Sequence, residues 1–176
     1  MKVDTSGLKP TFVQALWAPP GKVIAYNVGM VYLTDKGYYV AAAAYDNALW
    51  GNTKWLVRRM IKNAIRKVPE VRSKALALLK GVKSNTVYRK DPKALDFTIK
   101  KYPDLFYAVG HASFSIIGIK RGKKWKLSAI ISDRYDFDNV QSYKSISGIA
   151  NNIGLVMQSI KYIKPYKWTV FIPLTI

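Results

Sequence analysis

Asp133, Asp136 and Asp138 stand within six residues of one another in Ser132-Asp133-Arg134-Tyr135-Asp136-Phe137-Asp138, in a chain of 176 residues with only ten carboxylates. Like charges this close repel and raise one another's pKa values, so a sequence places them at a turn, at a cation site or where protons are moved. Paired Asp residues flanking a phenol suit a hard divalent cation such as Mg²⁺ and the activation of water against a phosphorus centre. In an extended stretch alternate residues share a face. Asp136 and Asp138 would then point with Arg134, and Asp133 and Tyr135 the other way, so three metal-ligating carboxylates converge only if the chain turns. Arg134 can hold a phosphate oxygen or neutralise a neighbouring Asp. The plainer alternative is a solvated strand-to-loop corner with nearby Lys and Arg as counterions.

His111, the single histidine, lies in Ala108-Val109-Gly110-His111-Ala112-Ser113, on an apolar strand. Its unperturbed pKa suits acid-base work near neutrality, and whether it serves depends on reaching the Asp cluster. Other chemistries fail on inventory. The chain has no Gly-x-Ser-x-Gly elbow, no Gly-x-x-x-x-Gly-Lys-Ser/Thr loop and no His-Glu-x-x-His helix. A single Glu excludes a Glu-based glycosidase pair.

The 29 Lys and Arg set a net charge of +19, which points to polyanionic partners: nucleic acid, anionic lipid headgroups or pyrophosphate-bearing substrates. Zero cysteines exclude disulfides, thiolate nucleophiles and Cys-based zinc sites, and leave the compartment open. Val23 to Ala44 is the longest apolar stretch, and Asp35, Lys36 and Gly37 interrupt it, so no transmembrane helix is expected. Met1 to Lys9 lacks a following apolar run and does not read as a signal peptide.

The elements that must position these residues follow from periodicity. Residues 1–20 read as an irregular arm. Val23 to Leu33 and Tyr38 to Ala44 flank Thr34-Asp35-Lys36-Gly37 and predict a β-hairpin. Thr53 to Val68 carries apolar residues at helical spacing, and Pro69 separates it from a second helix, Glu70 to Lys80. Asp91-Pro92 predicts a short helix through Lys101. Leu105 to Ile119 and Trp125 to Ser132 read as a second hairpin around Arg121-Gly122-Lys123-Lys124, with the acidic cluster at its exit. Ile146, Ile149, Ile153, Val156, Ile160 and Ile163 form the stripe of a core-facing helix, and Lys167 to Leu174 a closing strand. The expected fold is therefore a single α+β domain. An N-terminal hairpin and two basic helices precede a β-β-α-β half with a small antiparallel sheet, and residues 105–176 would carry the chemistry.

The first of the tandem helices sets Lys54, Arg58, Arg59, Lys62 and Arg66 around a core stripe without one acid. It reads as a nucleic-acid patch, a membrane-surface helix or a solvated face. Trp50 and Trp55 at its start would anchor in a headgroup region, which favours an anionic membrane over nucleic acid.

Asp133-x-Tyr135-Asp136-Phe137 resembles the Asp-x-Tyr-Asp signature of colicin M-like bacteriocins, and the arrangement of the last 75 or so residues is similar to the ends of polymorphic bacterial toxins. The resemblance implies an α+β toxin domain that cleaves lipid II, a lipid-linked pyrophosphate, in the periplasm of a target cell after secretion or delivery. It implies dependence on a divalent cation and leaves room for an immunity protein. Asp133 would be the first acid, Tyr135 the phenol and Asp136 the second acid, with His111 as the available acid-base group and Arg134 and Lys144 stabilising phosphate charge. Where the family carries His-Arg after the second acid, this chain has Ser142 and Tyr143. The competing expectation is a non-enzymatic basic protein that binds nucleic acid or anionic membrane; a nuclease is a third.

Overall fold

The structure, a computed structural model, describes residues 20–51, 53–137 and 146–176. The expected arm, apart from Pro20, lies outside the described residues, as do Asp138 and Lys144. Along the chain run α1 (Pro20–Asp35), α2 (Tyr39–Trp50), α3 (Lys54–Ile65), α4 (Pro69–Leu79), β1 (Thr86–Lys90), β2 (Leu95–Asp96), α5 (Pro103–Ala108), β3 (His111–Arg121), β4 (Lys124–Tyr135), α6 (Ile146–Ser159) and β5 (Tyr166–Thr175). The α+β class is as expected. The chain packs as two compact units, one of residues 20–57 and 134–167, the other of 58–133 and 168–176.

In the first unit the expected N-terminal hairpin is instead a pair of helices. Tyr26, Met30 and Leu33 are buried at turn spacing along α1, and Ala41 to Ala44 are fully buried in α2. Four alanines favour helix, and their small side chains permit close approach. Gly29 extends that approach, since a Cβ there would sit 2.3 Å from the Tyr45 ring. The Tyr45 hydroxyl donates to the Ala25 carbonyl at 2.9 Å. Thr34-Asp35-Lys36-Gly37 does turn the chain, as a helix stop: Gly37 is left-handed at φ 74°, and the Tyr38 N–H reaches back to the Leu33 carbonyl at 2.8 Å.

The tandem helices form as expected. Val57, Ile61 and Ile65 form the fully buried stripe of α3, and Pro69 starts α4. Glu70 in the first turn of α4 binds Lys101 and accepts from the Tyr102 hydroxyl at 2.7 Å, and these bonds pull its carboxyl down to about 2. Arg89 closes the other end, donating to the carbonyls of Leu78 and Lys80 at 3.0 Å.

The helix expected over Asp91 to Lys101 is absent. Asp91 caps a turn through the Lys93 N–H at 2.9 Å and pairs with Lys74 at 2.7 Å, while its own N–H bonds to Phe114 of β3. The chain then stays extended as β2, and the helix forms later, over Pro103–Ala108, where β3 had been expected to begin. The sheet order is β1-β3-β4-β5, with β2 on the end of β3. β1, β2 and β4 run antiparallel to β3, and Trp125 and Ile176 exchange backbone hydrogen bonds between β4 and β5. One sheet face is covered: Phe114 and Ile116 of β3, Leu127, Ala129 and Ile131 of β4, and Val170 and Ile172 of β5 are all buried. The stripe expected to bury α6 is not uniform, because Val156 and Ile160 are exposed and Met157 is buried.

Replacing Gly29 by Ala should cost about 1–3 kcal/mol by forcing α1 off Tyr45. A lower urea midpoint supports the helix pair. A gain in stability, as expected for a strand position, contradicts it.

Candidate functional site

Strand parity decides where the acidic segment goes. On β4 the odd positions from Trp125 to Ile131 are buried and the even ones are more open. Asp133 therefore extends the covered face, and Ser132 and Arg134 the open one. Tyr135 is buried in the first unit, stacked on Tyr166 at 5.6 Å between centroids and edge-on to Phe137 at 5.7 Å. Burial, with Tyr166 and Tyr45 nearby, raises its phenol well above the ordinary range, so it stays neutral. The Gln158 side chain grips Phe137 by both backbone groups, accepting from its N–H at 3.0 Å and donating to its carbonyl at 3.1 Å. Gly154 makes room for the ring, since a Cβ there would lie 2.5 Å from it.

Arg134 Nε donates to Asp136 at 2.9 Å, the alternate-residue pairing that an extended stretch permits. Of its two expected roles, phosphate holder or counterion, the geometry supplies the counterion. His111 lies on the opposite side of the sheet from Asp133. It shares the open face of β3 with Ser113, whose partner across the ladder is Ser132, and its Nδ1 lies 2.6 Å from Asp96 Oδ1 on β2. The sheet thus separates the histidine from the first acid. Among the described residues no group of three His, Asp or Glu is gathered to hold a metal ion. The expected Mg²⁺ set of Asp133, Asp136 and Asp138 keeps two described members, one of them already paired with Arg134.

The basic helix fares differently. Arg58 and Arg59 are exposed and Lys62 partly so on α3, and Arg66 is exposed just past its end. Lys54 and Trp55 are exposed on the same helix, Trp55 at 66%. Among the described residues the ion pairs are Lys74–Asp91, Lys101–Glu70, His111–Asp96 and Arg134–Asp136, and none draws on α3. Trp50 is not the exposed anchor expected of it. Its ring meets Tyr26 edge-on at 5.9 Å and carries the Lys22 ammonium 4.3 Å above it.

Sequence reasoning missed Asp46. It sits on α2 within the first unit, 2% exposed, accepting from the Thr53 hydroxyl at 3.0 Å through Oδ2 while Oδ1 is buried without a hydrogen-bond partner. Its neighbour Asn47 accepts from the Thr53 N–H at 3.1 Å. Burial pushes the Asp46 carboxyl up to about 7, against the smaller opposing effect of Thr53. Tyr26 is pushed up to about 12 by burial and by Asp46, and Tyr45 to about 12 by burial. The signal was an Asp-Asn pair inside an alanine-rich run, where a charge has no ordinary place.

Comparison with protein-family models, with curated proteins and with solved structures finds no match.

Asp46 makes stability depend on pH. Its folded pKa lies above that of the unfolded chain, so the fold carries no penalty below about pH 4 and loses stability as pH rises toward 7. Asp46→Asn should remove that slope and stabilise the protein by about 1–3 kcal/mol at pH 8. Urea titrations at pH 4.5, 6 and 8 check this. Parallel pH profiles for the two proteins would contradict it.

Proposed function

We propose that the protein binds nucleic acid as a basic, non-catalytic module. The observation that carries this reading is the cationic cluster of α3: Arg58, Arg59 and Lys62 on the helix and Arg66 just past its end flank a fully buried stripe, and the ion pairs among the described residues give them no carboxylate. Cations gathered on one helix repel one another, and a polyanion relieves that repulsion while releasing its own counterions. The second unit concentrates the charge, holding nineteen of the 29 Lys and Arg and five of the ten carboxylates. Nucleic acid is favoured over an anionic membrane because the pair of interfacial anchors reduces to Trp55 once Trp50 is packed against Tyr26.

Binding to a labelled oligonucleotide should weaken steeply with salt. The double variant Arg58→Gln/Arg59→Gln should lower the slope of log K against log[salt] by about 1.5–2. An unchanged slope, or equal binding to phosphatidylglycerol vesicles lost in the same variant, would remove the reading.

A second reading rests on the clamped acidic segment. Gln158 bonds both backbone groups of Phe137 and Tyr166 stacks on Tyr135, more contacts than a plain corner needs. On the resemblance to colicin M-like bacteriocins, Asp133 would position water against a lipid-linked pyrophosphate. Incubation with lipid II, with Mg²⁺ and with EDTA, should then release the pyrophosphorylated sugar-peptide in a metal-dependent manner, and Asp133→Asn should abolish that release. Equal release by the variant, or none by either protein, removes this second reading.

A further inference from the structure

The sheet of the second unit has one covered face and one open face, and the open one is neither uniformly polar nor acidic. Tyr88 of β1 is 68% exposed and stands opposite Ile117 of β3, itself 48% exposed. Ile119 lies two residues along on the same face, between Thr86 of β1 and Lys126 of β4. At the far edge of the sheet, Trp168, Val170 and Ile172 turn β5 inward, and the alternate position Phe171 is left 54% exposed. A monomeric protein exposes single apolar residues freely, but two aromatic rings and two isoleucines on one sheet face form a surface suited to a partner.

The charges on that face select the partner. The register places Lys90, Arg121, Lys124 and Lys126 among these residues. The carboxylate on the same side, Asp96, lies at the opposite end of β3, where His111 engages it. Asp133 belongs to the covered face. An occupant must therefore offer flat apolar surface to the rings and negative charge to the cations in one molecule. Unpaired nucleic acid does this, with bases to stack on aromatic side chains and a phosphate backbone for Lys and Arg, whereas a duplex keeps its base faces stacked inside. The two edge strands, β1 and β5, lie three strand spacings apart, about 14 Å. Sheets of this breadth accommodate two or three splayed bases.

We infer that the open face formed by Tyr88, Ile117, Ile119 and Phe171 is a stacking platform for single-stranded nucleic acid, with Lys90, Arg121, Lys124 and Lys126 following its backbone. This rests on the nucleic-acid reading above and adds the strandedness of the ligand and the residues that discriminate it. The cations of α3 act on any polyanion. The platform acts only where bases are unstacked.

The test compares fluorescein-labelled oligo(dT) and oligo(U) 12-mers with a 12-bp duplex, on wild type, Tyr88→Leu, Phe171→Leu and Arg58→Gln/Arg59→Gln, each first shown by thermal unfolding to be as stable as wild type. Single strands should bind more tightly than the duplex. Tyr88→Leu and Phe171→Leu should each weaken single-strand binding about tenfold and leave the salt slope and the duplex affinity unchanged. Tyr88→Trp should retain binding, since any large ring serves. Single-strand affinity unaltered in both Leu variants, or a duplex bound as tightly as a single strand, overturns the platform while leaving the polyanion reading intact. No binding to either oligonucleotide overturns both. A wild-type dimer that Tyr88→Leu dissociates in sedimentation, or vesicle binding that the Leu variants abolish, would assign the face to a second copy or to a lipid surface and overturn the inference.

Discussion

Phe114, Ile116, Ala129 and Ile131 are fully buried along two neighbouring strands, and the residues between them are not. Burying apolar area is the main favourable term in folding, and a one-residue slip of either strand would turn that strand's share of this set to water. The ladder from Ser113↔Ser132 to Arg121↔Lys124 is thereby fixed, and with it the side of the sheet on which each functional candidate falls. Asp133 goes with the core. His111, Ser132 and the lysines of β4 go to the open side. A constellation of His111 and Asp133 would need both on one side, and the parity that stabilises the sheet forbids it.

The same constraint gives the acidic segment a different meaning from the one its composition suggests. Tyr135 and Phe137 act as packing residues of the first unit, one stacked on Tyr166 and the other seated over Gly154 and gripped by Gln158. Arg134 and Asp136 neutralise one another beside them, a partly exposed pair of the kind that contributes about 1 kcal/mol or less. The unusual carboxylate of the first unit is Asp46, whose burial makes the neutral acid the favoured form up to about pH 7. Composition draws attention to carboxylates that are close in sequence. Desolvation acts on the one that is alone.

Much of the second unit was legible. Pro69 divides two helices because it lacks an N–H and suits a first turn. Gly122, left-handed at φ 59°, marks the turn of the β3–β4 hairpin in Arg121-Gly122-Lys123-Lys124. The first unit was misread because Val23 to Leu33 offers β-branched residues and a Gly-containing turn, which fit a hairpin and a helix stop equally. The decisive fact, the close approach of Gly29 to Tyr45, is tertiary. Tyr88 was passed over because Thr86–Lys90 reads as a polar stretch, with only Val87 buried. Its significance comes from the register that sets it against Ile117, which local sequence does not encode. Asp91-Pro92 looked like a helix start, but the hydrogen bond from Asp91 to Phe114 holds that segment to the sheet.

The central claim is that the open face of the sheet, together with the cations of α3 and not the acidic strand exit, is where the proposed nucleic-acid ligand binds. Amide and side-chain NMR shifts recorded while a single-stranded oligonucleotide is added would locate the contact directly. The account predicts that the largest changes fall on Tyr88, Lys90, Ile117, Ile119, Lys126 and Phe171, with Phe114, Ile116 and Ile131 on the covered face little affected. Changes centred on Asp133 to Phe137 with a silent sheet face would contradict it.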